Sequence, residues 1–149
     1  MANEPSDAVA KRVRAVRKRR DLTVAQLAGL CRDAGYPALT EQAIYNIENR
    51  RAGKRSARVA SVDELLALAR VLQVPPVHLL VPPTADEEPY NVTPTVIVPA
   101  RQARQWIRGY ELLPGDDRQV YLSEVPPTDF EEMGGLLFPR LPRPTGEEG

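Results

Sequence analysis

The chain has 149 residues, enough for one ordinary domain or a small domain with an appendage, and too few for two full domains. Its 20 basic and 20 acidic side chains cancel, but unevenly: residues 1–81 carry 14 basic and 8 acidic groups, residues 82–149 carry 6 and 12. No apolar run approaches the roughly 20 residues that span a bilayer, Met1 to Ala10 lack the apolar core of a secretory signal, and one Cys with one His makes neither an internal disulfide nor a four-ligand zinc site.

The expected class is therefore a cytoplasmic protein without metal, cofactor or membrane segment. A basic front half and an acidic back half point to a nucleic-acid-binding module with an appendage.

The first 81 residues read as a series of helices. Helix one is expected at about Asp7–Arg20, with Ser6 as N-cap and Val9, Val13 and Val16 as one apolar stripe. Its other faces carry Lys11, Arg12, Arg14, Arg17, Lys18, Arg19 and Arg20, a set that serves equally well as a solvated face. Helix two follows Thr23, where Thr23 and Gln26 have capping-box spacing. Val24, Leu27, Ala28 and Cys31 form its stripe, and Gly35 before Pro37 marks its end.

Helix three is expected after Thr40 and runs to about Asn49, with Leu39 and Ile44 at staple positions. Ile44 and Ile47 face the core, leaving Glu41, Gln42, Tyr45, Asn46 and Asn49 on the outer faces. A basic connection follows, and no acid stands between Asn49 and Val62. Helix four opens on a second capping box, Ser61 to Glu64, and repeats Leu65, Leu68, Ala69 and Leu72 at helical spacing. Residues 74–80 read as a turn and a short fifth helix with Pro at its first position.

Beyond this point the composition changes. Of 15 prolines, 13 lie at or after Pro75. Residues 82–94 read as an acidic linker, residues 95–125 as a small C-terminal element and residues 126–149 as a disordered tail. Within the element, Thr95–Val98 reads as a strand, Ala100–Tyr110 as a helix carrying Trp106, and Gln119–Leu122 as another strand. The expected fold class is all-α: a five-helix domain followed by a Pro-rich, acidic extension with little regular structure.

Three stretches carry a resemblance: Leu22-Thr-Val-Ala-Gln-Leu-Ala28, Thr40-Glu-Gln-Ala-Ile-Tyr-Asn-Ile-Glu-Asn49, and Val62-Asp-Glu-Leu-Leu-Ala-Leu-Ala-Arg-Val-Leu-Gln-Val74. Over roughly residues 8–81 the chain resembles the Cro/repressor-type (XRE) family of helix-turn-helix regulators. The chain departs from that family in a turn about six residues longer between helices two and three. It also has Val24 where the family often has a phosphate-touching Gln, and Arg50 where a helix-ending Gly is common.

The resemblance implies a sequence-specific regulator of transcription that reads double-stranded DNA as a homodimer, most simply a repressor. Residues 95–125 or helix five would supply the dimer surface. It puts Thr40, Glu41, Gln42, Tyr45 and Asn46 on the face that touches bases and backbone. The chemistry agrees independently, because a helix fits the major groove and its N-terminal residues reach base edges. Glu41 can accept from cytosine N4, Gln42 and Asn46 can pair with adenine, and Tyr45 can meet a thymine methyl or stack on sugar, or else belong to the core or cap the turn. Asn49, Arg50, Arg51, Lys54, Arg55 and Arg58 are candidates for phosphate contact, alongside Thr40; such contacts give affinity but not sequence information.

Glu48 reads instead as a structural partner for a nearby Arg or a backbone N–H. Cys31 reads as a small core residue, and His78 as a surface or packing residue. Trp106 is packing or an interaction anchor. No nucleophile–base set, phosphate loop or metal-ligand cluster points to an enzyme. An alternative in a different class uses the same fold as an antitoxin or adaptor, with a protein partner on residues 82–149. The 17 Arg against 3 Lys suggest GC-rich coding, bacterial or phage, and a place on the nucleoid.

Overall fold

A computed structural model describes residues 4–50 and 58–132. The chain divides into two compact units, Met1–Arg104 and Gln105–Gly149.

Five helices open the first unit: α1 (Pro5–Arg19), α2 (Val24–Asp33), α3 (Glu41–Glu48), α4 (Val62–Leu72) and α5 (Pro76–Leu80). Their stripes meet in one core. Val9, Val13 and Val16 come from α1, Leu27 and Cys31 from α2, Ile44 and Ile47 from α3, Leu68 and Leu72 from α4, and Leu79 from α5. Each fully buried aliphatic side chain contributes about 1.5–3 kcal/mol relative to exposure, so this shared cluster fixes how the helices lie. Burial also raises the pKa of the Cys31 thiol, as befits a core residue.

The start of α1 differs from expectation. Its N-cap is Glu4 rather than Ser6, with Pro5 at the first helical position, where a missing N–H costs nothing. The Asp7 carboxylate accepts the Glu4 N–H at 3.1 Å. The basic face of α1 is also not uniform. Arg12 Nε donates to the His78 carbonyl at 2.9 Å and Arg20 Nε to the Leu72 carbonyl at 3.3 Å. These are carbonyls near the C-terminal ends of α5 and α4, which lack partners within their own helices. Burial, then the nearby charge of Arg19, pulls the Arg12 pKa down. Lys11, Arg14, Lys18 and Arg19 remain exposed.

A two-stranded sheet corrects the all-α expectation. Strands β1 (Pro89–Thr93) and β2 (Val96–Pro99) pair antiparallel, with Tyr90 opposite Val98 and Asn91 opposite Ile97. Pro89 and Pro99 face each other at the hairpin's open end, where a missing backbone donor is tolerated. At the other end the Thr93 hydroxyl accepts the Val96 N–H at 3.0 Å and steadies the turn. Tyr90 and Val98 are buried, and the Tyr90 hydroxyl donates to the Leu80 carbonyl at 2.9 Å. The hairpin is thereby fastened to the end of α5. Residues 82–94, read as a linker, thus contain a strand that belongs to the same unit as the helices.

Helix α6 (Ala100–Ile107) begins at the end of β2 and stops three residues short of the expected Tyr110. The second unit holds α7 (Arg118–Ser123) and α8 (Pro127–Glu132). The strand expected at Gln119–Leu122 is instead helical. The Asp117 carboxylate accepts the Val120 N–H at 3.0 Å and caps a turn that a four-residue pattern cannot distinguish from a strand. Residues 127–132, expected within a disordered tail, are helical.

Candidate nucleic-acid interface

The candidate interface is the α2–turn–α3 region. Thr23 and Gln26 form the capping box at the start of α2: the Gln26 N–H donates to Thr23 Oγ1 at 3.1 Å and the Thr23 N–H to Gln26 Oε1 at 2.8 Å. At its end the Gly35 N–H reaches the Arg32 carbonyl at 2.9 Å and the Tyr36 N–H reaches the Cys31 carbonyl at 2.8 Å. This paired closure requires the left-handed backbone that Gly35 adopts, with φ of +88°. The longer turn then folds inward. Tyr36 packs on the core and Leu39 is buried beside Ile44, as the staple positions predict. Thr40 Oγ1 accepts the Ala43 N–H at 3.2 Å and starts α3.

The core holds α3 by Ile44 and Ile47, so its opposite side faces out. Glu41, Gln42, Tyr45, Asn46 and Asn49 are all exposed, and Thr40 with them. Gln42 Nε2 donates to Asn46 Oδ1 at 2.9 Å, one helical turn on. This leaves Gln42 Oε1 and Asn46 Nδ2, one acceptor and one donor, side by side. Asn49 Nδ2 donates to the Tyr45 carbonyl at 2.8 Å and closes the C-terminal end of the helix. Tyr45 is 55% exposed, so it contributes little to the core.

The cations are less uniform than the sequence suggests. Arg50 is turned into the protein. Its Nε lies 2.9 Å from Asp7 and its Nη2 2.7 Å from Glu4, with the side chain only 10% exposed. Its expected phosphate role does not fit this placement, because two carboxylates already hold the guanidinium. Arg58 donates to Glu64 at 2.5 Å and to the Ala43 carbonyl at 3.4 Å, bridging α3 to the start of α4. It too is engaged within the fold. Arg51, Lys54 and Arg55 lie outside the described residues.

Two features were not foreseen. Arg32, on the last turn of α2, is 70% exposed and lines a shallow cavity of about 290 Å³ with Thr40 and Glu41 at the start of α3. Its position one residue before the helix end was the available signal. The second is the identity of the Glu48 partner. Glu48 is buried, as its structural reading implies, and its partner is Arg17 of α1, 31 positions away.

Chemically, this surface offers amides, a hydroxyl, a phenol and a carboxylate on a rigidly seated helix. Among the described residues no group of three or more His, Cys, Asp or Glu is placed to hold a metal ion, and no helix is long and apolar enough to cross a membrane. No family model matches the chain, and no curated protein or solved structure matches it either.

Proposed function

We propose that the chain is a sequence-specific double-stranded DNA-binding regulator of transcription, a repressor acting as a homodimer. One observation supports this reading most directly. A short helix is locked to the core by one side and presents Glu41, Gln42, Tyr45 and Asn46 on the other. That is the arrangement a major-groove reader needs, since the helix must be rigid behind and rich in hydrogen-bonding groups in front. The Gln42 oxygen and the Asn46 amide match the donor and acceptor that adenine shows in that groove. A single module of this size makes few base contacts, so two modules on adjacent half-sites are needed for specificity.

The test is selection of binding sequences from a random duplex pool by the full chain, followed by a salt titration on the winner. The expected result is an approximately palindromic site bound about 10³-fold or more above random DNA. No enrichment, with binding lost at physiological salt, overturns the reading and leaves only a phosphate clamp. Copurification of a second protein with residues 82–149 would then favour the antitoxin or adaptor reading.

A further inference from the structure

Three large apolar side chains stand out of the fold together at the start of α4 and just before it. Val59 is 49% exposed, Val62 73% and Leu66 52%. Val62 and Leu66 are one helical turn apart, so they make a continuous stripe on α4 outside the line of its buried Leu68 and Leu72. Single exposed apolar residues are ordinary; a contiguous group marks an interaction surface. A shallow hollow of about 370 Å³ opens beside Leu66, against Arg70 and Pro76, and is of a size to take an aliphatic side chain from outside.

The charges beside this stripe identify what covers it. Asp63 and Arg70 are seven residues apart, so they flank the stripe on the same side. Both are exposed, and neither has an ion-pair partner among the described residues. When two copies of α4 pack antiparallel about a two-fold axis near Leu66, Asp63 of each lies opposite Arg70 of the other. The surface is then complementary to itself, with two reciprocal ion pairs beside a central apolar contact, as an isologous interface requires.

We propose that the exposed face of α4 is the homodimer surface of this chain, formed by antiparallel α4–α4 pairing with Leu66 at its centre. The inference rests on the homodimer part of the functional reading and moves the contact away from residues 95–125 and α5.

Sedimentation equilibrium of the full chain without DNA tests it over a concentration series. The native chain sediments at twice 16.5 kDa. Leu66→Glu, at an exposed position and with an unchanged far-UV spectrum, raises the dimer dissociation constant by about tenfold or more. Asp63→Arg and Arg70→Asp each weaken the dimer, and the two together recover most of the loss. A native chain that stays monomeric, a dimer indifferent to Leu66→Glu, or a double swap no better than either single change overturns the proposal. The two readings fail separately. A dimer that maps to α4 in a chain without sequence selection sinks the DNA reading alone. A selected single half-site bound by a monomer sinks the homodimer with its α4 surface and leaves the sequence reading standing.

Discussion

Arg17 and Glu48 form a two-point ion pair that ties α1 to the last residue of α3, with Nε to Oε1 at 2.6 Å and Nη2 to Oε2 at 2.9 Å. Arg17 also donates through Nη1 to the Leu22 carbonyl at 2.8 Å, so each of its three guanidinium nitrogens has an acceptor. The hydrogen bond to Glu48 outweighs burial and raises the Arg17 pKa above its ordinary value. A buried pair is costly to break because the survivor keeps its charge without compensation. Glu48→Ala is expected to cost about 3–5 kcal/mol in urea denaturation. Replacing both partners by apolar residues, Arg17→Met with Glu48→Leu, recovers most of that. Equal losses in the single and double variants would show that the pair itself stabilises the fold.

Two left-handed residues make a matched pair of opposite sign. Gly35 closes α2 at φ +88°, and an added Cβ there meets nothing within 4 Å, so Gly35→Ala tests backbone strain alone. The expected loss is about 1–2 kcal/mol. Gln73 closes α4 at φ 55° with a side chain that prefers other backbone regions. Gln73→Gly relieves this and is expected to stabilise by up to about 1 kcal/mol. Thermal melts of the two variants should move in opposite directions.

The helices of the first unit were legible because their signals are local and repeated. Capping residues Thr23, Thr40 and Ser61 stand just before apolar residues at helical spacing, and each caps its helix by a side-chain hydrogen bond. The exposed face of α3 followed from the buried positions of Ile44 and Ile47. The hairpin was half legible: Thr95–Val98 shows a strand pattern, but β1 lies in an acidic, proline-bearing stretch whose buried anchor is Tyr90. What holds Tyr90 is a carbonyl ten residues earlier, which no local pattern announces. The same applies to the arginines. Arg12, Arg17, Arg20, Arg50 and Arg58 look alike in sequence, and only their tertiary partners set them apart from Lys11, Arg14, Lys18 and Arg19.

The Tyr90 hydroxyl gives a pH prediction. Burial pushes its pKa from the ordinary 10 up to about 12. The folded state therefore holds this proton more tightly than the unfolded chain. The associated stability is fully present below pH 10 and is lost as the pH rises from about 10 to about 12, by roughly 2–3 kcal/mol. Tyr90→Phe removes this titration, so denaturation midpoints of the variant should fall less steeply over that window. At neutral pH the same variant leaves the Leu80 carbonyl without its donor and costs about 1 kcal/mol. A variant with the native alkaline slope would show that the loss has another source.

Gln42 and Asn46 separate stability from recognition. Both side chains are exposed and bonded mainly to each other at 2.9 Å, so Gln42→Ala or Asn46→Ala should alter folding stability by no more than about 0.5 kcal/mol. On the proposed function, each should lose about 1–3 kcal/mol at one base pair of the selected site, with weaker discrimination there and little change elsewhere. Because the two amides orient one another, their losses should not add, and a double-mutant cycle should show coupling of about 0.5 kcal/mol or more. The measurement is a competition series against every single-base variant of the site. Uniform weakening across all sequences would assign these amides to backbone contact. Selective weakening at one position would assign them to base reading, with the hydrogen bond between them holding the reading geometry before DNA arrives.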